Sequence, residues 1–391
     1  MWLSNALKYS REATKNPQQL VTAHRRAYKL LVIGQNSLMT SELGNKGESD
    51  GTGGAVADSY GRPLQDLRIS LLDRCNFRCP YCMPETEFNE EYQFLTRAAR
   101  LSHDEIFRVA SIAVGQGVTK LRITGGEPLL DKNVVSLVQR LAVLPGVEDL
   151  ALTTNGVLLA PVADALAGAG LHRVTISLDS VDEDIFAAMS GNRGSLDRVF
   201  AGIAAAENAG LAPIKVNVVV QKGVNDHVVL DVLERFRGTG HIVRLIEFMD
   251  VGNRNGWSME QVVPSKDLLR QIQARWPLRA VGRNYPGEVA SRYQYLDGKG
   301  EVGFISSVTE PFCGACSRAR ISADGTLYTC LFATEGTSLR EILRDGSSDE
   351  AIAAVLRNVW SQRNDRYSEQ REPEPLEKPL VNKVEMYRMG G

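Results

Sequence analysis

From Asp66 onward, apolar and polar positions alternate in short bursts. Runs rich in β-branched residues read as strands at Leu67–Leu72, Leu121–Thr124, Asp149–Thr154, Arg173–Leu178, Ile214–Val220 and Ile242–Phe248. Segments of helical period fill the gaps. The first opens with the capping-box pattern Ser102-His-Asp-Glu105 and runs towards Gly115. The others are Asp131–Leu144, Ala160–Ala169, Leu196–Ala209 and Asp226–Arg237. Six strands alternating with helices predict an α/β fold with a parallel sheet. Spacings of ~30 residues or more fit crossover units. Six units fall short of an eight-fold barrel, so the pattern predicts a partial (β/α)6 TIM-like barrel, with a doubly wound sheet as the alternative.

After about Asn284 this rhythm stops. The chain therefore divides into residues 1–58, a core at 59–283, and a C-terminal region at 284–391. Residues 1–58 carry six basic residues and one acid up to Ser41, then a Gly/Ser/Asp-rich stretch from Gly44 to Asp58. Such a segment is read as an unstructured extension, as translation from a start upstream of Met39, or as an organellar transit peptide. The location expected is the cytoplasm, or the mitochondrial matrix if the segment is a transit peptide. Arg371 to Pro379 is rich in Pro and Glu and is expected to run extended.

The 391-residue chain is 43% hydrophobic, enough for a sizeable core, and no apolar run is long enough to suggest a membrane span. A net charge of −2 gives no general footprint for nucleic acid. In a fold of this kind the C-terminal strand ends carry the site. Polar residues cluster there: Gly125-Gly-Glu127, Thr153-Thr-Asn-Gly156, Ser177-Leu-Asp179, Glu247 and Met249.

All six cysteines fall into two trios. Cys75, Cys79 and Cys82 form C-x3-C-x2-C, and Cys313, Cys316 and Cys330 form C-x2-C-x13-C. Each trio is one ligand short of a closed four-coordinate site. A nearby fourth Cys or His is missing from the first trio, the next histidine being His103, which argues against structural zinc. The remaining reading is a four-iron, four-sulfur cluster with one iron left open. His24, His103, His172, His227 and His241 form no spaced cluster, and no P-loop pattern occurs.

Cys75-Asn-Phe-Arg-Cys-Pro-Tyr-Cys82, followed by Gly125-Gly-Glu-Pro128, resembles the radical S-adenosylmethionine superfamily. Cys313-Gly-Ala-Cys-Ser-Arg-Ala-Arg320, with Cys330 beyond, is similar to the GTP 3′,8-cyclase family of molybdenum-cofactor biosynthesis. Asp66-Leu-Arg-Ile-Ser70, Lys120-Leu-Arg-Ile-Thr-Gly-Gly-Glu127, Lys215-Val-Asn217, Glu247-Phe-Met-Asp250 and Gly390-Gly391 support it, over roughly residues 60–391.

The resemblance implies two 4Fe-4S clusters, one on each trio, and S-adenosylmethionine on the open iron of the first. It places Tyr81, Gly126, Ser177 and Met249 at the S-adenosylmethionine site. It places Arg68, Arg122, Thr153, Lys215, Arg318 and Arg320 at GTP, with the guanine on the second cluster. It brings Gly390 and Gly391 back to the active site as participants in catalysis. Plainer readings exist: Gly126 as a turn glycine, Met249 as core packing, Arg318 and Arg320 as surface charges, and the terminal glycines as disorder.

The implied reaction cleaves S-adenosylmethionine reductively and removes hydrogen from C3′ of GTP. C3′ then joins C8 to give 3′,8-cyclo-7,8-dihydro-GTP. The implied partners are GTP, a reduced flavodoxin- or ferredoxin-type electron donor, the downstream cyclic pyranopterin monophosphate synthase, and a second copy in a homodimer. Two other readings stand beside this one: a peptide-modifying radical enzyme with an auxiliary cluster, and a non-enzymatic metal-binding regulator.

Overall fold

The computed structural model describes residues 56–285, 287–371 and 383–390. Expectations about residues 1–55, 372–382 and Gly391 lie outside the described residues.

The six expected strands form: β1 Asp66–Ser70, β2 Lys120–Thr124, β3 Asp149–Thr154, β4 Arg173–Ser177, β5 Lys215–Val220 and β6 Ile242–Glu247. They pair in sequence order and all in parallel. The chain after β6 enlarges the same sheet on both sides. Leu278–Val281 (β7), Ser291–Tyr295 (β8) and Glu301–Ile305 (β9) extend it beyond β6, with β9 parallel to β6. Arg318–Ile321 (β10), Thr326–Tyr328 (β11) and Thr337–Ser338 (β12) extend it beyond β1, with β10 parallel to β1. The order is β12-β11-β10-β1-β2-β3-β4-β5-β6-β9-β8-β7. The result is a mixed α/β fold around a largely parallel sheet with extra C-terminal strands.

Strand alternation decides which face binds ligands. Leu67, Ile69, Leu121, Ile123, Ala319 and Ile321 are at most 2% exposed and pack in the apolar core. Their neighbours Arg68, Arg122, Arg318 and Arg320 take the opposite face by the period of two. Register then aligns them: Arg68 lies opposite Arg320 on one side and Arg122 on the other. A row of cations therefore crosses three strands.

The helices follow their end signals. Ser102 caps His103–Gly115, and Glu105 returns a bond to the Ser102 N–H at 2.6 Å. Pro161 splits the segment expected at Ala160–Ala169 into a tight turn and the helix Ala163–Gly168. A helix not expected, Glu183–Ser190, is capped by Asp182 and stopped by left-handed Gly191. The buried carboxylate of Glu247 joins β6 to later chain. It accepts from the Ser265 N–H and hydroxyl, and from the Val308 and Thr309 N–H groups, each at 2.9 Å.

Candidate active site

Both cysteine trios line one cavity of about 270 Å³, and every strand from β1 to β6 contributes to its wall. The first trio occupies the loop after β1. The Cys82 and Met83 N–H groups donate to the Cys79 carbonyl at 2.9 and 2.8 Å, forming a tight turn. Arg78 holds the loop from behind, donating to the carbonyls of Cys75, Phe77 and Phe88 at 2.7–2.9 Å.

The loop after β2 lies directly on this one. The Gly126 N–H donates to the Leu72 carbonyl at 2.7 Å, and the Glu127 N–H to the Arg74 carbonyl at 2.8 Å. A Cβ on Gly126 would sit 2.1 Å from the Arg74 oxygen, so only glycine permits the contact. The close approach seen here is thus between two protein backbones. Glu127 accepts from the Thr154 hydroxyl and the Asn155 and Leu129 N–H groups at 2.7–3.0 Å. Burial still pushes its carboxyl up to about 7. Asn155 in turn donates to Asn76 at 2.8 Å, beside Cys75.

Tyr81 packs with Met189 and Phe248 and donates to Asp179 at 2.7 Å. Asp179 also accepts from the Val219 N–H at 2.8 Å, and burial raises it to about 6. Ser177 and Met249 line the same cavity. So do Asn217 and Ser307, whose buried Oδ1 and Oγ have no protein partner. Such orphaned atoms suit a polar ligand.

The second trio has a basic setting. Arg62 donates to the Cys313 carbonyl at 2.9 Å and Arg363 to the Cys316 carbonyl at 2.7 Å. Buried Asp58 pairs with both arginines. Arg318 reaches the Cys316 sulfur at 3.3 Å. Burial raises the Cys316 thiol, but Arg318 and Arg363 outweigh it and hold the group at about 6. Burial, aided by Glu127, pushes Cys75 up to about 12, and burial pushes Cys330 up to about 11. Thiols that resist ionisation in the bare protein are what a metal centre deprotonates on binding. Among the described residues no three Cys, His, Asp or Glu side chains converge as tightly as a single ion requires. By donor chemistry, two sets of three half-buried soft thiols fit iron–sulfur clusters, each leaving an iron open.

Arg68, Arg122, Thr153, Arg318 and Arg320 line the cavity between the trios. Arg318 and Arg320 face this interior, so they are not solvated surface charges. Arg122 is held by the hydroxyls of Thr153 and Thr175 at 3.0 and 3.1 Å. Burial and then Arg320, Arg122 and Arg318 drive Arg68 well below its ordinary range. Burial, Arg173 and Arg244 bring Arg122 down to about 9. Lys215 lies deeper, in a second cavity of about 40 Å³ at the N-terminal strand ends, which Arg68, Arg122 and Arg318 also line. Burial and neighbouring arginines lower it to about 7. Crowded, desolvated cations are stabilised by a polyanion.

Gly390 is buried beside the row. Its carbonyl accepts from Arg320 at 2.6 Å, and a Cβ on it would lie 2.1 Å from Thr124 Cγ2. Sequence reasoning missed Arg244 as a lining residue, and it placed Asn155 and Asp179 only among the strand-end polar residues and Asn217 only in a family motif, without a role for any of them. Arg244 and Asn217 were legible in principle, since both fall in expected strands and sit opposite each other in register.

The radical SAM superfamily pattern matches residues 69–236, and the pattern described as Molybdenum Cofactor Synthesis C matches residues 241–369. The chain is 54% identical over 337 residues to a protein named GTP 3′,8-cyclase from Xanthomonas campestris pv. campestris, covering 86% of this chain and 97% of that one. It is 50% identical over 320 residues to a GTP 3′,8-cyclase of Acidothermus cellulolyticus, covering 81% and 88%. Among solved structures, Streptococcus suis SuiB bound to S-adenosylmethionine superposes with a TM-score of 0.52 at 15% identity, covering 75% of this chain and 68% of that one. SuiB bound to its precursor peptide SuiA gives 0.54 at 13%, covering 89% and 79%. At these identities the structural likeness shows the fold alone.

Proposed function

The chain belongs to the GTP 3′,8-cyclase family of the radical SAM superfamily, and from that premise we propose how its residues carry the reaction. The protein is a radical SAM enzyme of molybdenum-cofactor synthesis that converts GTP to 3′,8-cyclo-7,8-dihydro-GTP. One observation carries the assignment of parts: both thiol trios and a row of buried arginines share a single cavity.

Cys75, Cys79 and Cys82 hold the first 4Fe-4S cluster, and Cys313, Cys316 and Cys330 the second, at the rim of a partial (β/α)6 barrel. When bound, the first cluster and S-adenosylmethionine supply the radical chemistry that side chains lack. Tyr81, Gly126, Ser177 and Met249 shape the S-adenosylmethionine side of the cavity. Glu127 and Asp179 keep that side in place by fixing the Gly-Gly loop and the Tyr81 ring.

Arg68, Arg122, Thr153, Arg318 and Arg320 clamp GTP, and Lys215 supports them from the smaller cavity that Arg68, Arg122 and Arg318 also line. The triphosphate neutralises cations that the fold has already desolvated, so binding relieves a repulsion present in the free protein. Fixing the phosphates on rigid strands also fixes the ribose, which sets C3′ for reaction. Gly390 closes the cavity against water between Arg320 and Thr124.

The same proposal includes a flavodoxin- or ferredoxin-type donor, delivery of product to cyclic pyranopterin monophosphate synthase, a homodimer and a cytoplasmic setting. Bacterial relatives support the setting. No described helix is long and apolar enough to cross a membrane.

Anaerobic incubation of reconstituted protein with GTP, S-adenosylmethionine and a strong reductant should yield 5′-deoxyadenosine and the cyclised nucleotide by mass spectrometry. Deoxyadenosine without the nucleotide, from fully loaded protein, would count against GTP as substrate.

A further inference from the structure

The chain segments on either side of residues 372–382 meet at one carboxylate. Asp250 follows Met249 in the loop after β6 and is 5% exposed. Its Oδ2 accepts from the Tyr367 hydroxyl at 2.5 Å and from the Lys383 ammonium at 2.9 Å. Its Oδ1 accepts from Arg371 at 2.8 Å. A second lock lies next to it. The Asn253 N–H donates to Glu385 at 3.0 Å, and a Cβ on Gly252 would fall 2.1 Å from the Glu385 carboxylate. Beyond it, Tyr387 packs edge-on against Phe88 at 4.9 Å and shares a hydrogen bond with Tyr92 at 2.7 Å. Gly390 then reaches Arg320. Residues 383–390 thus touch the loop bearing Met249, the chain after the first trio, and the strand between Cys316 and Cys330 of the second.

We propose that Asp250 is a positioning residue for the reaction: by gathering Tyr367, Arg371 and Lys383 it fixes where residues 383–390 enter the cavity, and so seats Gly390 on Arg320. This rests on the reading of Gly390 as part of the site. Charge-assisted bonds in a poorly hydrated spot are strong, and each of the three donors lies either in the strap formed by residues 383–390 or in the chain shortly before residue 372. Removing the carboxylate leaves Arg371 and Lys383 as like charges with their shared counterion gone. Both anchors then loosen together. Removing Lys383 loosens only the nearer one. Because Met249 and Asp250 are adjacent, one backbone turn sets both the cavity wall and the strap.

The test is hydrogen exchange on the iron-loaded, full-length enzyme, with cyclised nucleotide counted per 5′-deoxyadenosine. In Asp250→Ala, amides of residues 384–390 should exchange roughly tenfold faster or more, while β1–β6 stay protected. Product per deoxyadenosine should fall by about the same factor. Lys383→Met should act in the same direction, and the double variant should be no worse than Asp250→Ala alone. Asp250→Glu keeps the charge and should recover most of the ratio. The isosteric Asp250→Asn repeats the test if the alanine variant does not fold. Wild-type exchange at residues 384–390 together with a wild-type product ratio in Asp250→Ala overturns the inference. A chain ending at Met389 separates the two ideas: normal product from it overturns the reading of Gly390 itself, whereas lost product there with normal product in Asp250→Ala overturns only the dock.

Discussion

Cys316→Ser is expected to abolish the cyclised nucleotide while leaving cleavage of S-adenosylmethionine measurable. The reason is that the two trios are separate ligand sets with separate supports. The first is braced by Arg78, Asn155 and the Gly125-Gly126 loop. The second is braced by Arg62, Arg363 and Arg318. No residue named in one brace appears in the other. Losing one thiolate should therefore empty one centre and spare its neighbour, so iron should fall by about half. Cys79→Ser should give the mirror result: about half the iron, and neither deoxyadenosine nor product. Iron content and both small molecules are measured on the same anaerobic samples. Cyclisation at wild-type rate by Cys316→Ser would remove the second trio from the reaction.

Arg122→Ala should weaken GTP binding about 10- to 150-fold, the worth of one buried charge-assisted contact of ~1.5–3 kcal/mol. Arg122 is chosen because Arg318 touches Cys316 and Arg320 holds Gly390, so their loss would blur two roles. S-adenosylmethionine binding should barely change. Stability gives an independent sign. Burial, and then Arg173 and Arg244, disfavour the charged form of Arg122 in the folded protein. Removing it should leave the thermal midpoint without nucleotide unchanged or slightly raised. Calorimetric titration with GTP and a melting curve check the pair. A lowered midpoint with equal loss of both ligands would point to a damaged fold.

The sequence pattern placed β3 at its observed ends, and the other core strands within a few residues, because β-branched runs between turn signals are local features. The capping box at Ser102 was equally local. What could not be read was how the chain after Asn284 joins the sheet. Arg318-Ala-Arg-Ile321 has the alternation of Leu67–Ile69, yet nothing nearby in sequence says that it pairs with β1. That long-range pairing completes the arginine row. Of the site, the cysteines were legible because their spacing is itself the signal. Glu127 and Asp179 gave less away. A carboxylate that positions another residue looks, in one sequence, like any strand-end acid. Gly126 was legible only as a position at S-adenosylmethionine or as a turn glycine, and neither reading showed that the backbone of Arg74 lies against it.

The central step is hydrogen leaving C3′ of a GTP held on the arginine row. The direct measurement is turnover of GTP carrying deuterium at C3′, with mass analysis of the 5′-deoxyadenosine released. Deoxyadenosine should be heavier by one deuterium, in step with cyclised nucleotide. Unlabelled deoxyadenosine formed alongside cyclised product would contradict it.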